Sequence, residues 1–159
     1  MNALAERIAA ALLEKRAMLA TAESCTGGWA AQALTAIAGS SSWFERGFVT
    51  YSNAAKEEML GVRPQTLARH GAVSEETARE MALGALAHSR ADIALAITGV
   101  AGPSGGSAEK PVGTVCFAWA TKDGRARAET RRFAGDREAV RRQSVERALQ
   151  GVLELLDAG

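Results

Sequence analysis

Ser24 sits in the stretch Glu23-Ser24-Cys25-Thr26-Gly27-Gly28, between the apolar run Met18 to Ala22 and a helical-looking segment over 29–37. A serine at a strand-to-helix turn could be a nucleophile. The unpaired N–H groups and dipole of the following helix would favour an anion or an oxyanion there. Such a serine needs a base. No Ser-His-Asp triad is evident, because His70 and His88, the only histidines, fall on helix or loop positions without a clear partner. Lysine is the other common activator, once burial or a neighbouring cation lowers its pKa. Lys56 follows Tyr51, the only tyrosine, across a second strand-to-helix junction. Ser24, Lys56 and Tyr51 could form a proton relay, with Lys56 accepting the proton and Tyr51 orienting or relaying it. By spacing alone, such a set arises in most proteins by chance. Polar and glycine residues concentrate a third time at 98–106, from Thr98 through Gly99, Gly102, Gly105 and Gly106, again directly after an apolar run.

Each feature also has a purely structural reading. Ser24 could instead N-cap a helix starting at residue 26 or 27. Cys25 reads first as a small buried hydrophobe. Tyr51 could be a strand aromatic and Lys56 a solvated helix residue. The glycines could serve turns. They fit neither the Walker nor the dinucleotide fingerprint, so nothing points to ATP or NAD. Arg131, Arg132, Arg137, Arg141 and Arg142 read as a solvated basic face, with one or two at most turned to an anion. Trp29, Trp43 and Trp119 read as core or interface residues, one of which could stack on a ring.

The elements that would position these residues follow from periodicity. Leu4, Ile8, Ala11 and Leu12 recur at helical spacing, so residues 2–15 read as an amphipathic helix. Phe44 to Tyr51 reads as a strand and Asn53 to Leu60 as a short helix. Arg63-Pro64 breaks the pattern, and a second short helix leads to His70-Gly71. Ser74 is a good N-cap, with Glu75 and Glu76 in the first turn of a helix whose buried stripe is Ala78, Met81, Ala82, Ala85 and Leu86. Asp92 to Thr98 reads as a central strand covered on both faces. Residues 112–121 form another strand, Asp123-Gly124 signals a hairpin, and Arg125 to Phe133 alternates as its second arm. Asp136 can cap a last helix carrying Val145, Ala148, Leu149, Val152 and Leu156. The fold class expected is α/β: a three-layer α/β/α arrangement around a mixed, mostly parallel sheet of about five strands, in one domain over 1–159, with the hairpin supplying the antiparallel pair.

Composition narrows the classes. The 159 residues fit one domain, with 47% hydrophobic and 23% charged residues, close to an ordinary globular protein. Nineteen basic against 18 acidic residues give a net charge of +1, which argues against a dedicated nucleic-acid binder. Cys25 and Cys116 are the only cysteines, too few for a disulfide framework or a zinc site of four cysteines. No clustered Asp/Glu motif suggests a metal either, so no metal is expected. The N-terminal segment Met1 to Lys15 is amphipathic rather than signal-like, and no stretch approaches the ~18 apolar residues of a membrane span. A cytoplasmic setting with no membrane partner is the expectation.

Five ordered segments resemble a known family: Thr21 to Gly28, Thr50-Tyr51-Ser52-Asn53-Ala54-Ala55-Lys56, Gly71-Ala72-Val73-Ser74, Ile97 to Pro103, and Lys110 to Val115. Together they resemble the C-terminal domain of the competence/damage-inducible CinA family, including its stand-alone amidohydrolases, over residues 4–156. The resemblance implies hydrolysis of nicotinamide mononucleotide to nicotinate mononucleotide and ammonia. It implies Ser24 as nucleophile with Lys56 and Tyr51 as activating partners. It also implies Thr98 and the Gly99–Gly106 loop as substrate-binding positions, with Arg137 near the nucleotide phosphate. A homo-oligomer and no cofactor or metal are implied as well. Backbone N–H groups from Cys25 through Thr26 and Gly27 to Gly28 could hold the oxyanion that amide hydrolysis requires. The rival expectation is a non-catalytic nucleotide-binding or regulatory module connected with competence or DNA damage. A third is an amidase for another small amide.

Overall fold

The computed structural model describes residues 1–158. The elements run α1 (Asn2–Lys15), β1 (Leu19–Glu23), α2 (Trp29–Thr35), a short 3-10 turn (Ser40–Ser42), β2 (Phe44–Val49), α3 (Asn53–Leu60), α4 (Pro64–His70), α5 (Glu75–Ala87), β3 (Ile93–Gly99), β4 (Thr114–Thr121), β5 (Ala126–Arg132) and α6 (Arg137–Ala158). The strands form one sheet in the order β2-β1-β3-β4-β5. β1 pairs in parallel with β2 and with β3. The β4/β5 hairpin is antiparallel, as expected, and β3/β4 is antiparallel too. Four of the five strands therefore point the same way, while the pairings divide evenly. The second antiparallel pair has a plain cause. A parallel return would need a crossover connection of a dozen or more residues, usually a helix. Residues 100–113 form no helix and are zipped instead as a wide hairpin loop, with Val100 N donating to Thr114 O at 2.9 Å and Gly113 N to Val100 O at 2.8 Å.

The two faces of the sheet carry side chains of different size. Leu19, Ile93, Leu95, Ile97, Val115, Phe117 and Trp119 point to one face and pack with α1, α2 and α6. Ala20, Ala22, Ala94, Ala96, Cys116, Ala118 and Ala120 point to the other and meet α5. Alternation at period two separates the large from the small residues. An alanine surface lets α5 lie close, through its own Ala78, Ala82 and Ala85. Ser74 caps α5 by accepting from Thr77 N at 3.1 Å. Asp136 accepts from Ala139 N at 2.9 Å at the start of α6.

The same close packing holds α3. A Cβ on Gly84 of α5 would stand 1.9 Å from the backbone oxygen of Leu60, the last residue of α3. Gly84→Ala should gain about 1 kcal/mol of helix propensity. It should lose more, because the obstacle is backbone rather than a flexible side chain. A net destabilisation of about 1–3 kcal/mol is expected, read as a lower urea midpoint with an unchanged slope. An unchanged midpoint would show that α3 slides freely on α5.

Candidate active site

Three parallel strands end side by side. Glu23 lies opposite Val49 and Ile97 in the ladder, and the next rung joins Thr50 N to Glu23 O at 2.8 Å and Ser24 N to Ile97 O at 2.9 Å. The chain leaves β1 toward β2 on one side and later returns to β3 on the other, so Ser24 stands at the switch point of the sheet. Ligands of open α/β sheets bind in that crevice. A cavity of about 190 Å³ opens there, lined by Ser24, Cys25, Tyr51, Asn53, Lys56, Ala72, Val73, Thr98, Gly99, Ala101 and Arg137. Neither histidine lines it.

Lys56 projects from the first turn of α3, which begins at Asn53 because the Ser52 hydroxyl accepts from Ala55 N at 3.0 Å. Its side chain is 1% exposed. Nζ lies 3.0 Å from Ser24 Oγ, 2.9 Å from Thr50 O and 3.2 Å from Tyr51 O. No carboxylate among the described residues pairs with it, and burial holds its pKa below the ordinary lysine range. Cys25 is the one neighbour that would oppose this shift. Burial, however, pushes its thiol up to about 12, so no thiolate stands there at neutral pH. Cys25 is the buried hydrophobe that its residue type suggests, and it lines the cavity without being an activated nucleophile.

Tyr51 is placed otherwise than a phenolic relay needs. Its ring is 60% exposed, and its backbone carbonyl, not its hydroxyl, meets Lys56. Tyr51 Oη accepts from Arg137 Nη2 at 3.1 Å, while Arg137 Nη1 donates to Gly102 O at 2.8 Å. Arg137 thus ties the start of α6 to two loops at the mouth of the cavity. Thr98 does not face open space alone: its hydroxyl donates to Ala72 O at 2.8 Å, fastening the 71–73 loop over the end of β3. Gly99 is required by close approach, because a Cβ there would meet Val115 Cγ2 at 2.8 Å and Thr114 O at 2.9 Å.

The turn after Ser24 is organised by residues that the sequence did not single out as functional. Ser24 is not a helix cap: α2 starts at Trp29, with Gly28 as N-cap at φ 105°. The capping acceptor is Glu23, fully buried. It receives Thr26 Oγ1 at 2.6 Å, Ala30 N at 2.8 Å and Ala31 N at 3.1 Å. A carboxylate at a helix N-terminus matches both the free N–H groups and the dipole, which frees the Ser24 hydroxyl for Lys56. From above, Arg141 donates to Cys25 O and Thr26 O, each at 3.1 Å. The basic face expected at 131–142 is therefore divided. Arg131 and Arg142 pair with Glu129 and Glu138, and Arg137 and Arg141 turn onto the site. Gly27 N donates to Ser24 O at 3.1 Å, whereas the N–H groups of Cys25 and Thr26 donate to no other residue among those described. Trp43 and Trp119 are core residues, and Trp29 lies under the Arg141 guanidinium. No group of three or more His, Cys, Asp or Glu that could hold a metal occurs among the described residues.

Glu23→Gln keeps the shape of the cap but removes its charge and one strong acceptor. The loss expected is about 1–3 kcal/mol, measured as a drop in the denaturation midpoint. A variant as stable as the parent would mean that water or another group satisfies Ala30 and Ala31.

No helix among the described residues is long and apolar enough to cross a membrane. Residues 1–156 match the CinA C-terminal domain. The nicotinamide-nucleotide amidohydrolase PncC of Escherichia coli (strain K12) is 60% identical over 147 residues, covering 92% of this chain and 89% of that protein. The protein of the same name from Pseudomonas putida is 53% identical over 156 residues, covering 98% and 96%. A CinA-like protein of Chloroherpeton thalassium is 52% identical over 158 residues, but this chain spans only 38% of its length. The crystal structure of the competence/damage inducible protein CihA from Agrobacterium tumefaciens superposes with a TM-score of 0.95 at 50% identity, covering 98% of this chain and 94% of that one. Matched to the family over residues 1–156 and sharing the fold of a solved relative at 50% identity, the chain belongs to the CinA C-terminal domain family.

Proposed function

We propose that this protein hydrolyses the carboxamide of nicotinamide mononucleotide to nicotinate mononucleotide and ammonia, with Ser24 as nucleophile and Lys56 as its base. One observation carries the reading: a buried lysine with a lowered pKa stands 3.0 Å from a serine hydroxyl and 2.9 and 3.2 Å from two backbone carbonyls. A neutral amine has two hydrogens and one lone pair. Donating both hydrogens to Thr50 O and Tyr51 O aims the lone pair at Ser24 Oγ–H. After the proton moves, the ammonium donates to all three oxygens without moving a heavy atom. The substrate follows from the relatives, whose amidohydrolase members match over nearly their whole length.

The chemistry then runs in two halves. Ser24 Oγ attacks the carboxamide carbon as its proton passes to Lys56. The carbonyl oxygen becomes an oxyanion that the free N–H groups of Cys25 and Thr26 can receive. Lys56 returns the proton to the amide nitrogen, the C–N bond breaks and ammonia leaves. Water, deprotonated by the now neutral Lys56, attacks the acyl carbon; the C–Oγ bond breaks as Lys56 passes that proton to Ser24 Oγ, and the carboxylic acid is released. The cavity of about 190 Å³ is smaller than the usual pocket for a drug-sized ligand. It suits the nicotinamide head, with the ribose phosphate lying outward toward Tyr51 and Arg137. In this reading Tyr51 serves through its carbonyl and its exposed ring rather than as a proton carrier.

The test is ammonia release from nicotinamide mononucleotide with chelator present. Ser24→Ala should abolish it while the fold persists. Lys56→Met should cost about 10²–10⁴-fold in kcat. Tyr51→Phe should keep kcat within a few-fold, since only the contact to Arg137 is lost; a large kcat loss would restore the phenol to the relay. Absence of release by the folded parent would favour a binding module instead.

The pH dependence has a definite sign. The base must be neutral, so kcat/KM rises with pH through the Lys56 pKa of the free enzyme. That acid limb lies below the 10.5 of an ordinary lysine. Stability carries the same signature. In the window between the lowered folded pKa and the unfolded value, the unfolded chain binds more protons, so Lys56 makes the fold more stable as pH rises. Lys56→Met should remove that increment, measured as the difference between parent and variant unfolding free energies across the window. A difference independent of pH would mean that Lys56 titrates normally.

A further inference from the structure

Arg141 makes no ion pair among the described residues, although its helix neighbours Arg142 and Arg147 do. Both of its acceptors are backbone carbonyls of the turn that follows the nucleophile, Cys25 O through Nε and Thr26 O through Nη2. Its guanidinium carbon stands 5.6 Å over the Trp29 ring, which fixes the plane of the fork. Its hydrogen bonds thus go only to two peptides of one loop, and those peptides feel its charge.

The N–H of a trans peptide lies opposite its carbonyl. A cation on Cys25 O therefore polarises the N–H of Thr26. A cation on Thr26 O polarises the N–H of Gly27, which donates to Ser24 O at 3.1 Å. That carbonyl belongs to the same peptide as the N–H of Cys25. Hydrogen-bonded peptides in series strengthen one another, so one guanidinium acts on both N–H groups that are free beside Ser24. The same two bonds hold the turn in a conformation in which Gly27 sits at φ 59°. We infer that Arg141 is a positioning residue for the reaction: it orients and polarises the Cys25 and Thr26 peptides so that their N–H groups receive the oxyanion formed on attack by Ser24. This rests on the reading of Ser24 as nucleophile.

Lysine cannot replace it, because a single ammonium does not span two carbonyls with a rigid fork. The experiment compares the parent with Arg141→Lys and Arg141→Ala in two assays. The first is ammonia release from nicotinamide mononucleotide, as kcat and KM. The second is the rate at which a fluorophosphonate labels Ser24, followed by mass spectrometry, which needs no nucleotide. Both variants should lose about 10–100-fold in kcat, with KM changed less than twofold and the labelling rate reduced in step. Methylguanidine should restore part of the activity of Arg141→Ala, which a generally destabilised fold would not allow. A raised KM with kcat intact would overturn the inference and make Arg141 a direct contact of the substrate anion. Parent-like kcat and labelling in both variants would overturn it as well. A parent that is labelled at Ser24 but releases no ammonia would remove the nucleotide reading while the labelling rates still decide the role of Arg141. A parent that shows neither would remove both.

Discussion

Everything at this site depends on a lysine amine kept out of water without a counter-ion. An ammonium buried alone costs several kcal/mol after relaxation, and the usual remedy is a carboxylate. Here the remedy is three oxygens: Thr50 O, Tyr51 O and Ser24 Oγ. Oxygens that carry no formal charge satisfy the hydrogens of the amine without holding the proton as tightly as a carboxylate would. The result is an amine that is shielded from water and whose pKa lies below the ordinary lysine range. A carboxylate in place of either carbonyl would raise the lysine pKa. The requirement explains why the chain turns as it does after β2. Thr50 and Tyr51 must present consecutive carbonyls inward, and Ser52 must then start α3 at once so that Lys56 reaches back to them.

The sheet makes this geometry stiff. Bulky residues on one face and alanines on the other give the two helical layers different distances from the sheet. The close layer is the one that carries Lys56, through α3 lying against Gly84 of α5. The distant layer, where larger side chains leave more depth, carries α6 and its arginines. Ser24 sits between them at the end of β1, with Lys56 on its hydroxyl from one side and Arg141 on the carbonyls of the next two residues from the other. Loops usually carry function and mobility together. In this case the functional turn is held at both ends, by the Glu23 carboxylate within the helix start and by ladder bonds to β2 and β3.

Much of this was legible in the residues. The three polar segments at 23–28, 50–56 and 98–106 were recognisable because each interrupts an apolar run with glycine and hydroxyl residues. The sheet brings all three to one edge of the crevice. Ser74 and Asp136 read correctly as caps because capping depends on local chemistry alone. The antiparallel course of β3 and β4 was less visible. It depends on what the 100–113 loop fails to contain, and glycine turns describe a local bend rather than a return path. The contact of Tyr51 with Lys56 was hidden for another reason: its carbonyl makes it, and a backbone atom has no signature in residue type. Arg141 could not be told from Arg142 by composition. Helical periodicity places one of them over Cys25 and Thr26 and the other beside Glu138.

The neighbouring pair Ser24 and Cys25 shows how position overrides intrinsic reactivity. By residue type the thiol is the better nucleophile. Yet a nucleophile is only as good as its access to a base. Cys25 is buried in surroundings that raise its pKa to about 12, with burial as the main cause. The Lys56 amine is directed at the serine instead, at 3.0 Å. An alkoxide need never exist freely at Ser24, because the proton can leave along that bond as the new one forms. The cysteine would need a stable thiolate, and the burial that lowers the lysine pKa raises that of the thiol. One desolvated pocket therefore lowers the pKa of the amine and raises that of the adjacent thiol, so in the proposed mechanism the choice of serine follows from the same physical condition that would activate it.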